Sequence, residues 1–538
     1  MAQITKFLSR LRLFLLVAVC VVATAALPAV AQVPVQTGSI GAADPRFDAE
    51  RAKILLQMQK DKLPSVAVAV AQHGKIVWEQ GFGWADREQL QPATSDTMYS
   101  LASISKPFTA TAVMELVQKG KLRLDAPAND YLGAAKLTGL AGDASGADIR
   151  RILSHTSGLP LHWQFFYANE DYREPPMDDT ILRYGILVNP PGELFQYSNL
   201  GYGILGHIVS LVSGLSYEDS MQTLVFAPLG LTHTSSGIGP GLERCAAARY
   251  DSKMHPLPFY TFDHLGASAI YSSPHDLIRF AMFHLKNHIV GQEQILNDET
   301  IDLMHQGITE MSPKGPFYAL GFFGSLNDHG VKVFGHSGGM PGVSTVMRIY
   351  PDEDLAVVVL TNTGGSTAVP QIEREIAGLM IPRYAKALAA EGKPPDTPKD
   401  LYHPTPDLLG TWTGTLRTWQ GTIPLQLIFQ PDGDIHVKLG DQLETLLNDA
   451  QWEGKMLDGH FAATIPTPDA GKHRHAVHLE LWQRNGKLTG EANAEATEEP
   501  AHYSLASYVE LTRSAALTGQ SSPCPCACRC GTGGRRGL

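Results

Sequence analysis

Ser103, Ile104, Ser105 and Lys106 set a hydroxyl and an amine three residues apart where a helix is predicted to begin. Residues spaced i, i+3 share one helix face, so Lys106 can reach the Ser103 hydroxyl. A serine is a weak nucleophile until a neighbouring base activates it, and this pair could therefore perform covalent acyl transfer. The same residues also fit a helix N-cap serine followed by a solvated lysine. Tyr197-Ser198-Asn199 stands just ahead of a helical run from Leu200. A tyrosine near an ammonium group ionises more easily and could act as a general base; alone, the segment reads equally as a loop aromatic and a helix cap. His336-Ser337-Gly338-Gly339 follows a strand predicted over 331–334. Its glycines would let a substrate lie against the backbone, whose amide N–H groups could form an oxyanion hole.

The elements that must position these residues alternate between strand and helix. A hairpin is predicted over 65–71 and 75–83 around Gly74, and a helix over 103–119. From about 150 to 310 the pattern is mostly helical with long loops. There, Ser273-Pro274-His275-Asp276 combines a serine cap, a first-position proline and a third-position acid, which announces a helix start. Strands return over 331–334, 343–350 and 355–361. Strands at both ends with helices between predict an α/β sandwich in which the two ends of this region share one antiparallel sheet. Proline-rich stretches over 386–406 read as a stiff linker. Beyond it, Gly410-Thr411-Trp412-Thr413-Gly414, the alternation of His478-Leu479-Glu480-Leu481-Trp482 and the two-residue turn of Arg484-Asn485-Gly486-Lys487 predict a small all-β barrel over 407–513.

Composition bounds the rest. A chain of 538 residues is long for one domain, and 43% hydrophobic with 18% charged residues is ordinary for a globular protein. A formal net charge of −11 argues against a nucleic-acid partner. Basic residues up to Arg12, an apolar run over 13–27 and Ala29-Val30-Ala31 before Gln32 read as a secretory signal over 1–31. The mature chain is then expected to be exported, periplasmic or secreted, with no stable membrane span after cleavage. Four of the six cysteines fall at 524, 526, 528 and 530, in a tail over 514–538 read as disordered rather than as a zinc site, because the spacing is Cys-x-Cys. Cys245 lacks a partner in its own domain, so no disulfide framework is expected. Neither a metal nor a cofactor is expected, and the oligomeric state is open.

Taken in order, Ser-x-x-Lys at 103–106, Tyr-x-Asn at 197–199 and His-Ser-Gly at 336–338 resemble the penicillin-recognising serine hydrolases. Within them the chain is similar to the branch of class C β-lactamases, D-peptidases and related esterases. Leu153-Ser154-His155-Thr156-Ser157-Gly158-Leu159, Pro191-Gly192-Glu193 and Pro341-Gly342 agree with that branch, and the resemblance spans 46–385. It implies that Ser103 is the acylating nucleophile, that Lys106 orients it and helps remove its proton, and that Tyr197 protonates the leaving group and later activates water. It also implies that Asn199 holds Lys106 and the acyl-side amide of the substrate, with the N–H groups of Ser103 and Gly339 as oxyanion hole; His336, Ser337 and Gly338 complete the substrate-binding strand. Where β-lactamases carry the lysine of Lys-Thr-Gly, this chain has His336. Histidine is largely neutral at pH 7, which favours esters, amides or D-amino-acid peptides over anionic penicillins. Glu193 reads as a structural loop acid. The 407–513 region resembles the lipocalin-like domain appended to some members, with a ligand cavity, a cap over the active site and an oligomer contact all open. The expected function is an exported serine hydrolase acting on a small-molecule or peptide substrate. The alternatives are β-lactamase or D,D-peptidase action on cell-wall-like substrates, and an acylated sensor that does not turn over.

Overall fold

The computed structural model describes residues 33–239, 241–311, 315–390 and 404–515. The expected signal segment, most of the expected linker and nearly all of the cysteine tail lie outside them. The helix Pro382–Ala390 occupies the first residues of the stretch read as linker.

Ser65–Gln72 alternates valine and alanine, and both sets are buried. A strand covered on both faces reads this way, because successive side chains point to opposite sides. Val66, Val68 and Val70 pack with Phe47, Ile54, Ile372 and Ile376, from the helices Asp48–Asp61 and Ala368–Met380 and the turn before the first of them. Ala67, Ala69 and Ala71 face the other layer, where small side chains let helix Pro274–His284 approach the sheet. Leu355–Thr361 pairs antiparallel with Ser65–Gln72, so the two ends of the sandwich share one sheet. The full antiparallel sheet has nine strands, running outward on one side through Val343–Tyr350 and Val331–Met340 and on the other through Lys75–Asp86. Asn362 pins the join: its Oδ1 accepts from the N–H and hydroxyl of Ser65, while its Nδ2 donates to the carbonyls of Trp84, Ala85 and Ala248.

The expected strand over 331–334 continues to Met340, so His336 to Gly339 lie within the ladder rather than after it. Val343–Tyr350 pairs with the whole glycine-rich half and extends the strand. The helix expected over 103–119 begins as a 3-10 turn, Ala102–Ile104, and runs on as Ser105–Gln118. Every residue from Ser105 to Leu116 is buried, which explains its apolar and threonine-rich composition on all sides. Ser273 caps Pro274–His284 by accepting from the Asp276 N–H.

From Gly410–Thr418 to Tyr503–Ala515, nine strands form an antiparallel meander whose first strand pairs with its last. The ladder's free edges, Thr445–Leu446 and Asn448–Glu453, are separated by one residue, so the sheet is a nearly closed barrel. Trp412, Leu427, Phe429, Val437, Leu479, Leu481, Leu488 and Leu511 are among the buried side chains of its apolar cluster, as expected for a barrel of this size. Asn485 and Gly486 both have positive φ, 50° and 76°, which is the geometry the Asn-Gly pair supplies to a tight hairpin.

The barrel is joined to the α/β sandwich domain by backbone as well as side chains. Lys487–Ala496 is buried at seven consecutive positions, one face in the barrel and the other against its neighbour. Tyr503 and Ser504 pair with Gln164 and Trp163 of strand Trp163–Tyr167, so a barrel strand continues into a ladder of the sandwich domain. Arg484 donates to Glu193 at 2.6 Å and to Asn189 at 2.8 Å, and Gln196 donates to Glu491 at 3.1 Å. Glu193 is thus a docking acid. Asp458, Glu480 and Glu491 are cross-strand partners in one row. Like charges in such a row repel, and burial together with Glu480 pushes the Glu491 carboxyl up to about 8. The fold therefore retains a proton that the unfolded chain, near 4.5, releases. Stability is expected to fall as pH rises through the interval between those two values. Glu491→Gln should flatten that fall, measured by denaturant unfolding across the interval.

Candidate active site

The nucleophile turn is fixed from three directions. Ala102, immediately before Ser103, has φ of +48°, a left-handed conformation that costs an alanine about 1 kcal/mol. Thr345 donates to the Leu101 carbonyl at 3.0 Å, and the Leu101 N–H donates to Ile270 at 2.8 Å. Ser105, the second serine of the motif, accepts from the Ile270 N–H at 3.0 Å. Gly338 completes the packing: a Cβ there would lie 2.1 Å from the Leu101 carbonyl oxygen, so only glycine lets strand Val331–Met340 press against this turn. Ser337 and Gly339 are exposed, on the opposite side of the pleat from His336 and Gly338.

Lys106 is fully buried, and its Nζ lies 3.1 Å from Ser103 Oγ. It also donates to Asn199 Oδ1 at 2.7 Å and to the Ala267 carbonyl at 3.3 Å. None of these partners is charged. Burial holds the amine well below the usual lysine range, which leaves a lone pair able to accept the Ser103 proton. The Ala267 carbonyl belongs to the short helix Leu265–Ser268. Just before it, Asp263 binds His162 at 2.6 Å and His264 at 2.7 Å in a buried triad. Burial pushes Asp263 up, but the two imidazoles outweigh it and hold the carboxyl below its ordinary value.

Tyr197 lies beside this amine, with Lys106 Nζ 4.7 Å from its ring centre. The sequence expectation was that the lysine charge would ease ionisation of the phenol. The structure reverses it: burial raises Tyr197 above the usual tyrosine range, and only the Ser103 side chain pulls the other way. Tyr197 is therefore a proton donor at rest. Ser198 caps helix Asn199–Ser213 by accepting from the Gly201 N–H, leaving the Asn199 side chain free to face Lys106.

His336 is also buried, and its Nδ1 contacts the Ser337 carbonyl at 2.6 Å, while the Tyr318 hydroxyl lies 3.3 Å from Nε2. These contacts fit a neutral ring carrying its proton on Nδ1. Burial pushes its pKa down to about 3. With both nitrogens engaged inside the protein, His336 shapes the wall of the site. It offers no free ring nitrogen to a substrate from its place in the motif.

His155 lies in the 153–159 segment, whose sequence pattern assigns it no role. Its Nδ1 accepts from the Ser198 N–H at 3.0 Å, and its ring packs 4.3 Å from Tyr197 and 4.6 Å from Tyr318, centre to centre. The neighbouring backbone extends this grip. Gly192, Gln196 and Asn199 donate N–H groups to the carbonyls of Thr156, His155 and Leu161, and Ser198 Oγ donates to Pro160. Burial, with Lys106 and His336 nearby, holds His155 well below the usual histidine range, so it stays a neutral acceptor. Its positive φ of 57° was the signal a sequence cannot display.

A serine hydroxyl facing a buried amine whose pKa is held down by enclosure, with a phenol alongside and a glycine strand across the turn, is the arrangement of an acylating serine hydrolase. The chain belongs to the beta-lactamase family, whose model matches residues 51–379. It is 29% identical over 367 residues to penicillin-binding protein 4 of Amycolatopsis lactamdurans, covering 65% of this chain and 93% of that one. It is 28% identical over 337 residues to penicillin-binding protein 4* of Bacillus subtilis, covering 56% and 69%. Among solved structures, the octameric penicillin-binding protein homologue of Pyrococcus abyssi aligns with a TM-score of 0.53 at 23% identity, over 85% of this chain and 99% of that one. A class C β-lactamase of Rhodobacter sphaeroides aligns at 0.52 and 23%, over 64% and 99%. These last two support the fold.

His155→Ala removes the acceptor of the Ser198 N–H and the ring behind Tyr197. It should lower kcat by roughly 100-fold, the cost of misplacing a catalytic group by about an ångström, with a smaller change in KM, as steady-state kinetics would show.

Proposed function

We propose that this chain is an exported serine hydrolase that cleaves ester or amide bonds through an acyl-enzyme on Ser103. The observation that carries the reading is the buried Lys106 amine, its pKa lowered by enclosure, 3.1 Å from Ser103 Oγ. Ser103 Oγ attacks the substrate carbonyl while its proton passes to Lys106 Nζ. The N–H groups of Ser103 and Gly339 stabilise the developing oxyanion. Tyr197 gives its phenolic proton to the leaving group as the carbonyl–leaving-group bond breaks, and the Lys106 ammonium restores it. Water then attacks the acyl carbon, its proton passing to the same pair, and as the acyl carbon–Oγ bond breaks that proton is returned to Ser103 Oγ. Asn199 holds Lys106 throughout.

The neutral, enclosed His336 favours substrates without an obligatory carboxylate. Purified protein should hydrolyse a short-chain p-nitrophenyl ester and gain one acyl group on Ser103 in intact-mass spectra; Ser103→Ala should lose both, and equal activity in the variant would sink the proposal. Because the amine must be uncharged, kcat/KM should be retained above the lowered Lys106 pKa and lost as pH falls through it. An acid limb in the ordinary lysine range would contradict the assigned base. An adduct that forms but never hydrolyses would favour a sensor.

A second reading, action on β-lactams or D-Ala-D-Ala peptides, is favoured by the relatives named as penicillin-binding proteins. A chromogenic cephalosporin and a D-Ala-D-Ala peptide test it, and the absence of both turnover and a covalent adduct would reject it. Export is tested by mass spectrometry of the secreted chain, whose first residue should be Gln32.

A further inference from the structure

Glu170, His473 and His502 come together where the barrel meets the hydrolase domain, far from Ser103 in sequence and without any motif linking them. Glu170 Oε1 lies 3.3 Å from His473 Nε2 and 3.3 Å from His502 Nε2, and the three candidate donor atoms all fall within 4.8 Å of one another. Ligands bonded at about 2.0–2.1 Å around a tetrahedral zinc ion stand about 3.3 Å apart. The two distances to Glu170 are therefore already those of a coordination tetrahedron's edges. The two imidazoles stack with centroids 3.7 Å and planes 28° apart, both Nε2 atoms facing one carboxylate oxygen, and because an imidazole binds a metal in its own plane, one ring must turn out of the stack for both to reach a single ion. His473 Nδ1 contacts Glu498 Oε2 at 3.1 Å, the outer carboxylate that typically orients a metal-bound imidazole and raises its basicity.

The backbone holds the three residues in place. The Phe165 N–H donates to the His502 carbonyl at 2.7 Å, beside the pairing of Gln164 with Tyr503. Glu170 follows in the turn closed by its own N–H to the Tyr167 carbonyl. His473 is held by Tyr503, whose hydroxyl donates to the His473 carbonyl at 2.9 Å. One ligand thus comes from the hydrolase domain and two from the barrel, on either side of the shared ladder. We propose that Glu170, His473 and His502 bind a divalent transition-metal ion of the zinc type, which clips the barrel to the hydrolase domain. Two imidazoles and one carboxylate are a donor set suited to such ions, and three protein ligands leave a fourth position for water.

The test uses the full-length chain, stripped by chelator and titrated with Zn²⁺ alone by calorimetry and with Co²⁺ alone by visible absorption. Because Cys524, Cys526, Cys528 and Cys530 offer competing thiolates, the titration is repeated on a full-length variant with all four changed to serine. That variant should bind one metal per chain, give Co²⁺ bands of a four-coordinate site without thiolate charge transfer, and melt at higher temperature with metal than without. Glu170→Gln should abolish the site, and Glu498→Gln, which alters only the outer carboxylate of a half-exposed side chain, should weaken it by about 10–100-fold. No stoichiometric binding in the four-serine variant would overturn the proposal, as would binding unchanged by Glu170→Gln. Should Glu170→Gln fail to fold, unchanged affinity in Glu498→Gln together with Co²⁺ bands that lack imidazole ligation would overturn it instead.

Discussion

A lysine amine enclosed by a hydroxyl, an amide oxygen and a peptide carbonyl is the constraint on which the hydrolase domain is organised. An ammonium ion taken out of water without a countercharge is expensive, and the protein responds by favouring the neutral amine. Three separate parts of the chain must meet to create that enclosure: the helix bearing Lys106, the cap of the helix that begins at Asn199, and the turn carrying Ala267. The burial of Ser105 to Leu116 on all sides contributes to the same enclosure, since water reaching the amine would restore the charge.

The same desolvation acts on the neighbours with opposite chemical results. An amine becomes a base, a phenol keeps its proton, and two imidazoles, His155 and His336, become neutral hydrogen-bonding struts. Enclosure thus separates base from acid within a few ångströms, without a charged residue among the partners of Lys106. The loop from Gly192 to Asn199 that delivers Tyr197 is held on one side by the rail of residues 155–161. On the other it is held by the barrel through Asn189, Gln196 and Glu193.

The local motifs were legible because their meaning is local. Ser103 and Lys106 meet through helix spacing, Asn485-Gly486 turns because those residues accept positive φ, and Ser273-Pro274 starts a helix through its own hydroxyl. The sandwich was legible for a different reason, since strand patterns at both ends of the region with helices between call for one shared sheet. What sequence reasoning missed depends on enclosure by distant segments. The rise of the Tyr197 pKa, opposite to the expectation from a nearby charge, comes from surrounding atoms. The inward burial of His336 against Tyr318 likewise depends on the pleat and on a residue 18 positions away. His155 matters through a backbone N–H 43 residues away, which no spacing rule anticipates. The docking of Arg484 and Glu491 joins two regions that read as independent domains.

The pairing of Tyr503 and Ser504 with Gln164 and Trp163 has a bearing on how the chain can be divided. On its other side, Trp163–Tyr167 pairs with Tyr260–Phe262, so the barrel strand covers what would otherwise be an unpaired edge lined by aromatic residues. An uncovered edge of that kind is a template for joining another chain. The barrel is in this sense a solubility cover for the hydrolase domain, and cutting the protein at the boundary its sequence suggests would release a surface prone to self-association.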